Sequence, residues 1–213
     1  MSAIAPPGVV PPTAPAGPRV PYYLSQTTFR KFTLDEYHKM IESGVLSSGE
    51  PYELLEGNLV NKMPHGTAHD TAMDRMEGLF PTHALGGWFV RCQRAITLAP
   101  SEPEPDYAIV RGPRSRYGTA HPTPVEIGLL IEVSDNSLMI DRFDKGRIYA
   151  EAGIPVYWVV NVVDKVVEVY TRPAGTGNAA AYARRDDYPI GTAVPVILDG
   201  TAVGTVAVAD ALG

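Results

Sequence analysis

The apolar run from Ile127 to Val133 sets the strongest limit on the fold, because Glu132 is its one charged position. A strand this apolar is covered on both faces, as in the middle of a mixed sheet. The next segment, Asp141 to Ala152, has a helical pattern closed by Gly153. Strands that alternate with helices predict an α/β or α+β domain with one mixed central β-sheet flanked by helices.

The other elements follow from local patterns. Thr33 begins a capping box that predicts a helix from Leu34, which Gly44 ends. The remaining predictions are two short strands over 52–60 turned at 56–58, a helix over 68–80, strands over 88–98 and 107–110, a hairpin of 156–163 with 166–171, and a loop over 174–183.

Proline dominates the start of the chain, with seven among the first 21 residues. Proline has a fixed φ and no amide donor, so residues 1–24 are predicted to form a disordered or extended tail. Residues 25–213 are then predicted to form a single domain, which suits a chain of 213 residues.

Composition excludes several classes of protein. No stretch approaches the roughly 20 apolar residues that cross a bilayer, and the lone Cys92 excludes a disulfide framework. We therefore expect a cytoplasmic protein. Cys92 lies in an alternating pattern that predicts a small core side chain. Neither a G-x-S-x-G elbow nor a phosphate-binding glycine loop is present.

Carboxylates at the ends of apolar strands are the remaining candidates for chemistry. Asp106 immediately precedes one strand, Glu132 lies near the end of another, and Lys145 follows on the next helix. Two hard oxygen ligands beside a lysine suit a divalent cation and a phosphate. Asp106 could instead be a turn residue, Glu132 could pair with an arginine, and Lys145 could form an exposed i,i+4 pair with Asp141.

The five histidines do not predict a zinc site. His65 and His69 are four residues apart, but Gly66 between them makes one continuous helix doubtful. The aromatic pair Tyr157 and Trp158, in VYWVV, is predicted to lie in the core.

Several motifs between residues 29 and 171 resemble the Uma-two-type restriction endonucleases of the PD-(D/E)XK nuclease superfamily. They are YELLEG, the helix with His69, the strand with Gln93, EPEPDYAIVRG, HPTP, IEVSDNSL, DRFDK, and YAEAGIPVYWVV followed by VEVY. The resemblance implies a restriction-endonuclease-like core with a divalent-metal site.

The resemblance also implies site residues. Asp106 and Glu132 would be catalytic residues that hold the metal. Lys145 would be the superfamily lysine, moved to the next helix because Ser134 stands where that lysine is expected. Glu53 would complete the site, with Glu56 as its substitute if the strand register differs.

Accessory roles fall to two further motif residues. His69 could satisfy backbone groups at a helix start, and Gln93 could hydrogen-bond across the edge of the site.

The expected function is a Mg²⁺-dependent endonuclease acting on DNA, with Mn²⁺ as the alternative ion and a homodimer as the expected assembly. Two other interpretations stay open. One is a non-hydrolytic nucleic-acid or partner-binding protein that keeps the nuclease fold, and the other is a nuclease that acts on RNA or on mobile-element intermediates through the same residues. A net charge of −6 argues against a broad basic surface. Arg111, Arg114 and Arg116 are expected to supply local positive charge near the site.

Overall fold

A six-stranded mixed sheet organises the computed structural model, which describes residues 29–47, 49–80 and 86–213. Every element below lies in one compact unit, Lys31–Gly213. The predicted tail, 1–24, lies outside the described residues, so the boundary between tail and domain stays a prediction.

Ten strands are present in the described part of the chain. They are β1 Tyr52–Leu55, β2 Asn58–Asn61, β3 Trp88–Cys92, β4 Tyr107–Arg111, β5 Ile127–Ser134, β6 Val156–Asn161, β7 Val166–Ala174, β8 Ala181–Pro189, β9 Ala193–Leu198 and β10 Thr201–Ala207. The large sheet has the order β3-β4-β5-β6-β7-β8, in which β5 and β6 are parallel and the other neighbours antiparallel. Two hairpins, β1-β2 and β9-β10, stand apart from it.

The helical elements lie before, between and after these strands. They are α1 Leu34–Glu42, α2 Thr67–Leu79, a π-helical turn Ile140–Lys145, α3 Gly146–Glu151, α4 Val208–Leu212, and short 3-10 turns at Arg114–Tyr117, Pro124–Glu126 and Gly177–Ala179. No helix in the described ranges is long and apolar enough to cross a membrane.

Strand β5 is buried along its whole length, as its apolar sequence predicts. Leu129 and Ile131 pack into one core with α2, α4 and the β9-β10 hairpin, whereas Leu130 packs into a second core with α3. Alternation places Glu132 on the face of Leu130. An ionisable side chain therefore lies on the buried face of the sheet that α3 covers.

Local signals at the start of the chain give the predicted structure. Thr33 accepts a hydrogen bond from the amide of Glu36, whose side chain accepts one from the Thr33 amide, so the capping box is formed. The chain turns at Glu56-Gly57 between β1 and β2.

The aromatic pair on β6 lies in the core. Tyr157 and Trp158 are fully buried, as predicted.

Three predictions of secondary structure were wrong in extent. The strand from Trp88 ends at Cys92, because Gln93 takes a left-handed φ of 46°. The predicted loop over 174–183 contains the start of β8, which pairs with β7 along its whole length. The predicted α-helix from Asp141 begins instead as the π-helical turn. Cys92 is exposed, so its predicted place in the core was also wrong.

Candidate active site

An open cleft of about 880 Å³ lies where the carboxyl end of β5 meets the start of β4. The β1-β2 hairpin, the start of α2, the π-helical turn and several connecting segments supply the rest of its lining. Residues far apart in sequence meet here because antiparallel β4 and β5 bring the start of one strand to the end of the other.

Strand register brings Asp106 and Glu132 together. Tyr107 is paired with Ile131, so the preceding residue on β4 and the following one on β5 are neighbours. The amide of Asp106 lies 3.4 Å from Oε2 of Glu132, and Oδ2 of Asp106 accepts a hydrogen bond of 2.8 Å from the amide of Val133. Asp106 is thus held to the β5 backbone and is more than a turn residue.

Lys145 reaches the same point from the π-helical turn. Its Nζ lies 3.0 Å from Oε1 of Glu132 and 3.4 Å from Oε1 of Glu53, and its side chain is 10% exposed. The alternatives of an exposed pair with Asp141 and of an arginine partner for Glu132 are therefore both wrong. Tyr149 on α3 donates a second hydrogen bond, of 2.7 Å, to the same Glu132 oxygen.

The two acidic residues of the YELLEG motif have separate places. Glu53 on β1 is buried, accepts a hydrogen bond of 3.2 Å from the amide of Glu104, and lines the cleft. Glu56 is paired with Arg147 at a small depression outside the cleft. Glu56 does not substitute for Glu53 because strand alternation and the turn direct it away.

The π-helical turn is anchored by Asp141, which sequence reasoning treated only as a partner for Lys145. Its carboxylate accepts hydrogen bonds from the hydroxyls of Ser134 (2.7 Å) and Ser137 (2.6 Å). Its carbonyl oxygen accepts from the Gly146 amide, five residues on, and from the Tyr157 hydroxyl. The wide turn is thereby fixed over the end of β5, and it carries Lys145 into the cleft.

Burial and pairing shift the pKa values of the central groups. Burial raises the pKa of Glu132 to about 8 against the opposing attraction of Lys145. Burial would lower the pKa of Lys145, but Glu132, Glu53 and Asp141 raise it above its usual range. Burial would raise the pKa of Asp106, but hydrogen bonds from His69 and Val133 lower it. Lys145 is therefore a fixed positive charge, and Asp106 is ionised at neutral pH.

Two histidines join the site at the start of α2. Gly66 is the N-cap, so His65 precedes the helix and His69 lies in its first turn. Their rings stack with centroids 3.9 Å apart, and Nε2 of buried His69 lies 3.3 Å from Oδ2 of Asp106. His69 therefore belongs to the cleft and does not merely satisfy backbone groups.

Gln93 lines the edge of the cleft, and its amide donates a hydrogen bond of 2.9 Å to the carbonyl of Asp106. Sequence reasoning gave His69 an accessory role but left His65 outside the site. The spacing of four residues between His65 and the motif histidine His69 was the available signal. Tyr149 carried no comparable signal, since its role depends on how α3 packs.

The cleft is strongly acidic. Eight Asp or Glu side chains line it, against three Lys or Arg side chains. None of the three arginines expected near the site lines the cleft. The chain from Asp106 through β4 to Arg111 extends over about 16 Å, and Arg111 pairs with Asp199. Arg116 pairs with Glu126. An acidic cleft of this kind attracts cations, and an anionic substrate would need one to enter.

Oxygen atoms suited to a divalent cation are present. Asp106 and Glu132 face each other, and no hydrogen bond among the described residues uses Oδ1 of Asp106. Carboxylate oxygens are the ligands that Mg²⁺ and Mn²⁺ prefer. Within the part of the chain that the structure describes, His65, His69 and Asp106 form a group of three whose potential ligand atoms lie within 4.8 Å of one another. The cleft therefore suits a divalent metal on charge and on donor chemistry.

The mixed six-stranded sheet with flanking helices is a nuclease-like fold. Residues 34–199 match the Uma2 family, described as "putative restriction endonuclease", and the chain belongs to that family. Among solved structures, the chain is similar to a crystal structure of a "putative nuclease" belonging to DUF820 from Anabaena variabilis. The TM-score is 0.60 at 16% identity, over 85% of this chain and 97% of that one.

No curated protein matches the chain. The predicted family and fold class are thus confirmed, by the family match and the structural likeness respectively.

Proposed function

We propose that this protein is a divalent-metal-dependent endonuclease that hydrolyses phosphodiester bonds, with DNA as its substrate. One observation carries the proposal: Asp106, Glu132, Lys145 and Glu53 come from four separate elements and meet in one open cleft. The family and the fold support the same chemistry.

Each residue has a role that its contacts support. Asp106 and Glu132 would hold Mg²⁺, or Mn²⁺ in its place, and Glu53 would assist from beside Lys145. When bound, a divalent cation stabilises charge on phosphoryl oxygens and acidifies a water molecule. Lys145 would orient the attacking water or bind a phosphate oxygen, since its ammonium group stays charged and has three donors.

Tyr149 and Asp141 are positioning residues in this proposal. Tyr149 donates a hydrogen bond to Oε1 of Glu132, which leaves Oε2 of Glu132 beside the amide of Asp106. Asp141 holds the turn that carries Lys145. The rigid sheet and these hydrogen bonds keep the central groups in place before substrate arrives, which is what electrostatic catalysis requires.

Plasmid cleavage in Mg²⁺ and in Mn²⁺ tests the proposal. Asp106→Asn, Glu132→Gln and Lys145→Met should each lower the rate by about 10²-fold or more. Asp144→Asn is the matched control, because this exposed carboxylate lies next to Lys145 but outside the cleft lining. Circular dichroism would check that each variant is folded. Equal cleavage by the wild type and the three site variants would refute the proposal.

The non-hydrolytic alternative is separated by a binding measurement. Calorimetry that detects Mn²⁺ binding by a wild-type chain without any cleavage of plasmid, single-stranded or branched DNA would favour that alternative. The acidic lining supports the partner-binding form of that alternative, because few basic groups are available to hold a backbone phosphate.

Two further expectations accompany the proposal. A homodimer would let two sites address two strands, and light scattering of the purified chain would test it. A cytoplasmic location also stays a prediction. Parallel assays on DNA and RNA of matched sequence would decide the substrate.

A further inference from the structure

The histidine pair beside Asp106 has chemistry that the proposed Mg²⁺ site does not use. Mg²⁺ prefers oxygen ligands, whereas imidazole nitrogen suits Zn²⁺, Co²⁺, Ni²⁺ and related ions. The cleft therefore presents two different donor sets that share one carboxylate.

The distance between two of the donor atoms also matches that between two ligands of one ion. Nε2 of His69 and Oδ2 of Asp106 are 3.3 Å apart, longer than the common N–H···O distance. Two atoms that each lie about 2.1 Å from a shared ion are separated by roughly 3.0–3.4 Å at coordination angles of 90–109°. The observed spacing is within that range.

The second histidine is positioned to complete the set. His65 is exposed, lies in the segment before α2, and stacks on His69 with an interplanar angle of 25°. His65, His69 and Asp106 all line the cleft, and their potential ligand atoms lie within 4.8 Å of one another.

The other nitrogen of His69 provides an independent sign. Nδ1 is buried and has no hydrogen-bond partner among the described residues, although Oδ1 of Asp70 lies 3.6 Å away. A histidine that binds a metal usually donates its second N–H to a carboxylate, which fixes the ring. Asp70 is 66% exposed at its side chain and can turn to accept that bond.

We propose that His65, His69 and Asp106 form a first-row transition-metal site, taken by Zn²⁺ or Co²⁺ in preference to Mg²⁺. Two nitrogens and one oxygen leave positions open for water, as in mononuclear sites that keep an exchangeable ligand. Asp70 is the outer partner of His69. The site goes beyond the proposed function and shares only Asp106 with it.

Cobalt titration of the full chain, followed by visible absorption, tests the site without any DNA. The wild type should develop ligand-field bands that persist in millimolar Mg²⁺. His65→Ala should weaken Co²⁺ binding by at least ~10-fold, and Asp70→Asn by up to a similar factor. His121→Ala is the control, because His121 is exposed and does not line the cleft.

Two results would overturn the inference: displacement of Co²⁺ by Mg²⁺, or an unchanged Co²⁺ affinity in His65→Ala. Because His65 is exposed and precedes the helix, its loss should leave the fold intact, and circular dichroism would verify this. Histidine-dependent Co²⁺ binding by a chain that cleaves nothing would support the site and refute the nuclease proposal. Mg²⁺-dependent cleavage without such binding would refute the site alone.

Discussion

Replacement of Glu168 by glutamine tests how the π-helical turn is held over the sheet. Glu168 lies on β7, is fully buried, and accepts a bidentate hydrogen bond from Arg142 of that turn. Tyr170 and Asn161 donate to the same carboxylate, and Arg185 lies 3.3 Å away. This cluster ties the segment that carries Lys145 to the central sheet.

The expected loss of stability follows from the donors around the carboxylate. Both oxygens of Glu168 accept from donors, so the amide nitrogen of a glutamine would face at least one of them. Breaking a buried ion pair costs roughly 3–5 kcal/mol in general. Because Arg142 is 21% exposed and can turn to water, we expect the lower end, about 3 kcal/mol. For a chain of this length that is a fall in Tm of roughly 6–12 °C.

The pH dependence of this loss has a defined sign. Burial would raise the pKa of Glu168, but hydrogen bonds from Arg142, Tyr170 and Asn161 lower it below its ordinary value of 4.5. A lowered pKa contributes stability that is present above 4.5 and is lost as the pH falls through the folded value. The difference between wild type and Glu168→Gln should therefore be full at neutral pH and should narrow as the solution becomes more acidic than 4.5.

Urea unfolding at neutral and acidic pH measures the loss of stability in Glu168→Gln and its dependence on pH. Asp144→Asn, an exposed acid in the same turn, should stay within about 0.5 kcal/mol of wild type. A double-mutant cycle with Arg142→Met isolates the interaction between Arg142 and Glu168, whose coupling free energy should be at least ~1 kcal/mol. A Glu168→Gln loss that is below about 1 kcal/mol, a third of the expected value, or one that stays constant with pH, would show that this cluster does not hold the turn.

Three other changes test separate features of the fold. Gly128→Val should cost about 1–3 kcal/mol in urea unfolding, because a Cβ there would lie 2.8 Å from the side chains of Trp88 and Leu198. Thr33→Ala removes the cap of α1 and should cost about 1 kcal/mol, with Thr33→Ser close to wild type as its control. Cys92 should react with iodoacetamide in the native protein, since it is exposed. Partial burial of the sulfur raises the pKa of the Cys92 thiol above its ordinary value of 9.0, so the rate of alkylation should still be rising above pH 9.0. A rate that reaches a plateau near neutral pH would contradict this.

Much of the fold could be predicted because its signals are local. The capping box at Thr33, the turn at Gly57 and the apolar run of β5 depend on neighbours in sequence, and each gave the expected element. Errors arose where an unusual backbone conformation or a tertiary contact controlled the outcome. Gln93 ends its strand through a backbone φ of 46°, and β8 exists because β7 offers it a partner. Neither effect is visible in residue patterns.

In the candidate site, too, the sequence predicts one part and the folded structure decides the other. Residue types could be read from the chain alone, because carboxylates at the ends of apolar strands and a nearby lysine point to metal and phosphate chemistry. Which of them meet depends on the folded chain: β4-β5 register places Asp106 beside Glu132, and the π-helical turn carries Lys145 to both. Folding also brings His65 and His69 to Asp106. It leaves Glu56 and Arg111 outside the cleft, where they pair with Arg147 and Asp199. Distances across a sheet are set by strand pairing and burial, and these act between residues that sequence spacing does not relate.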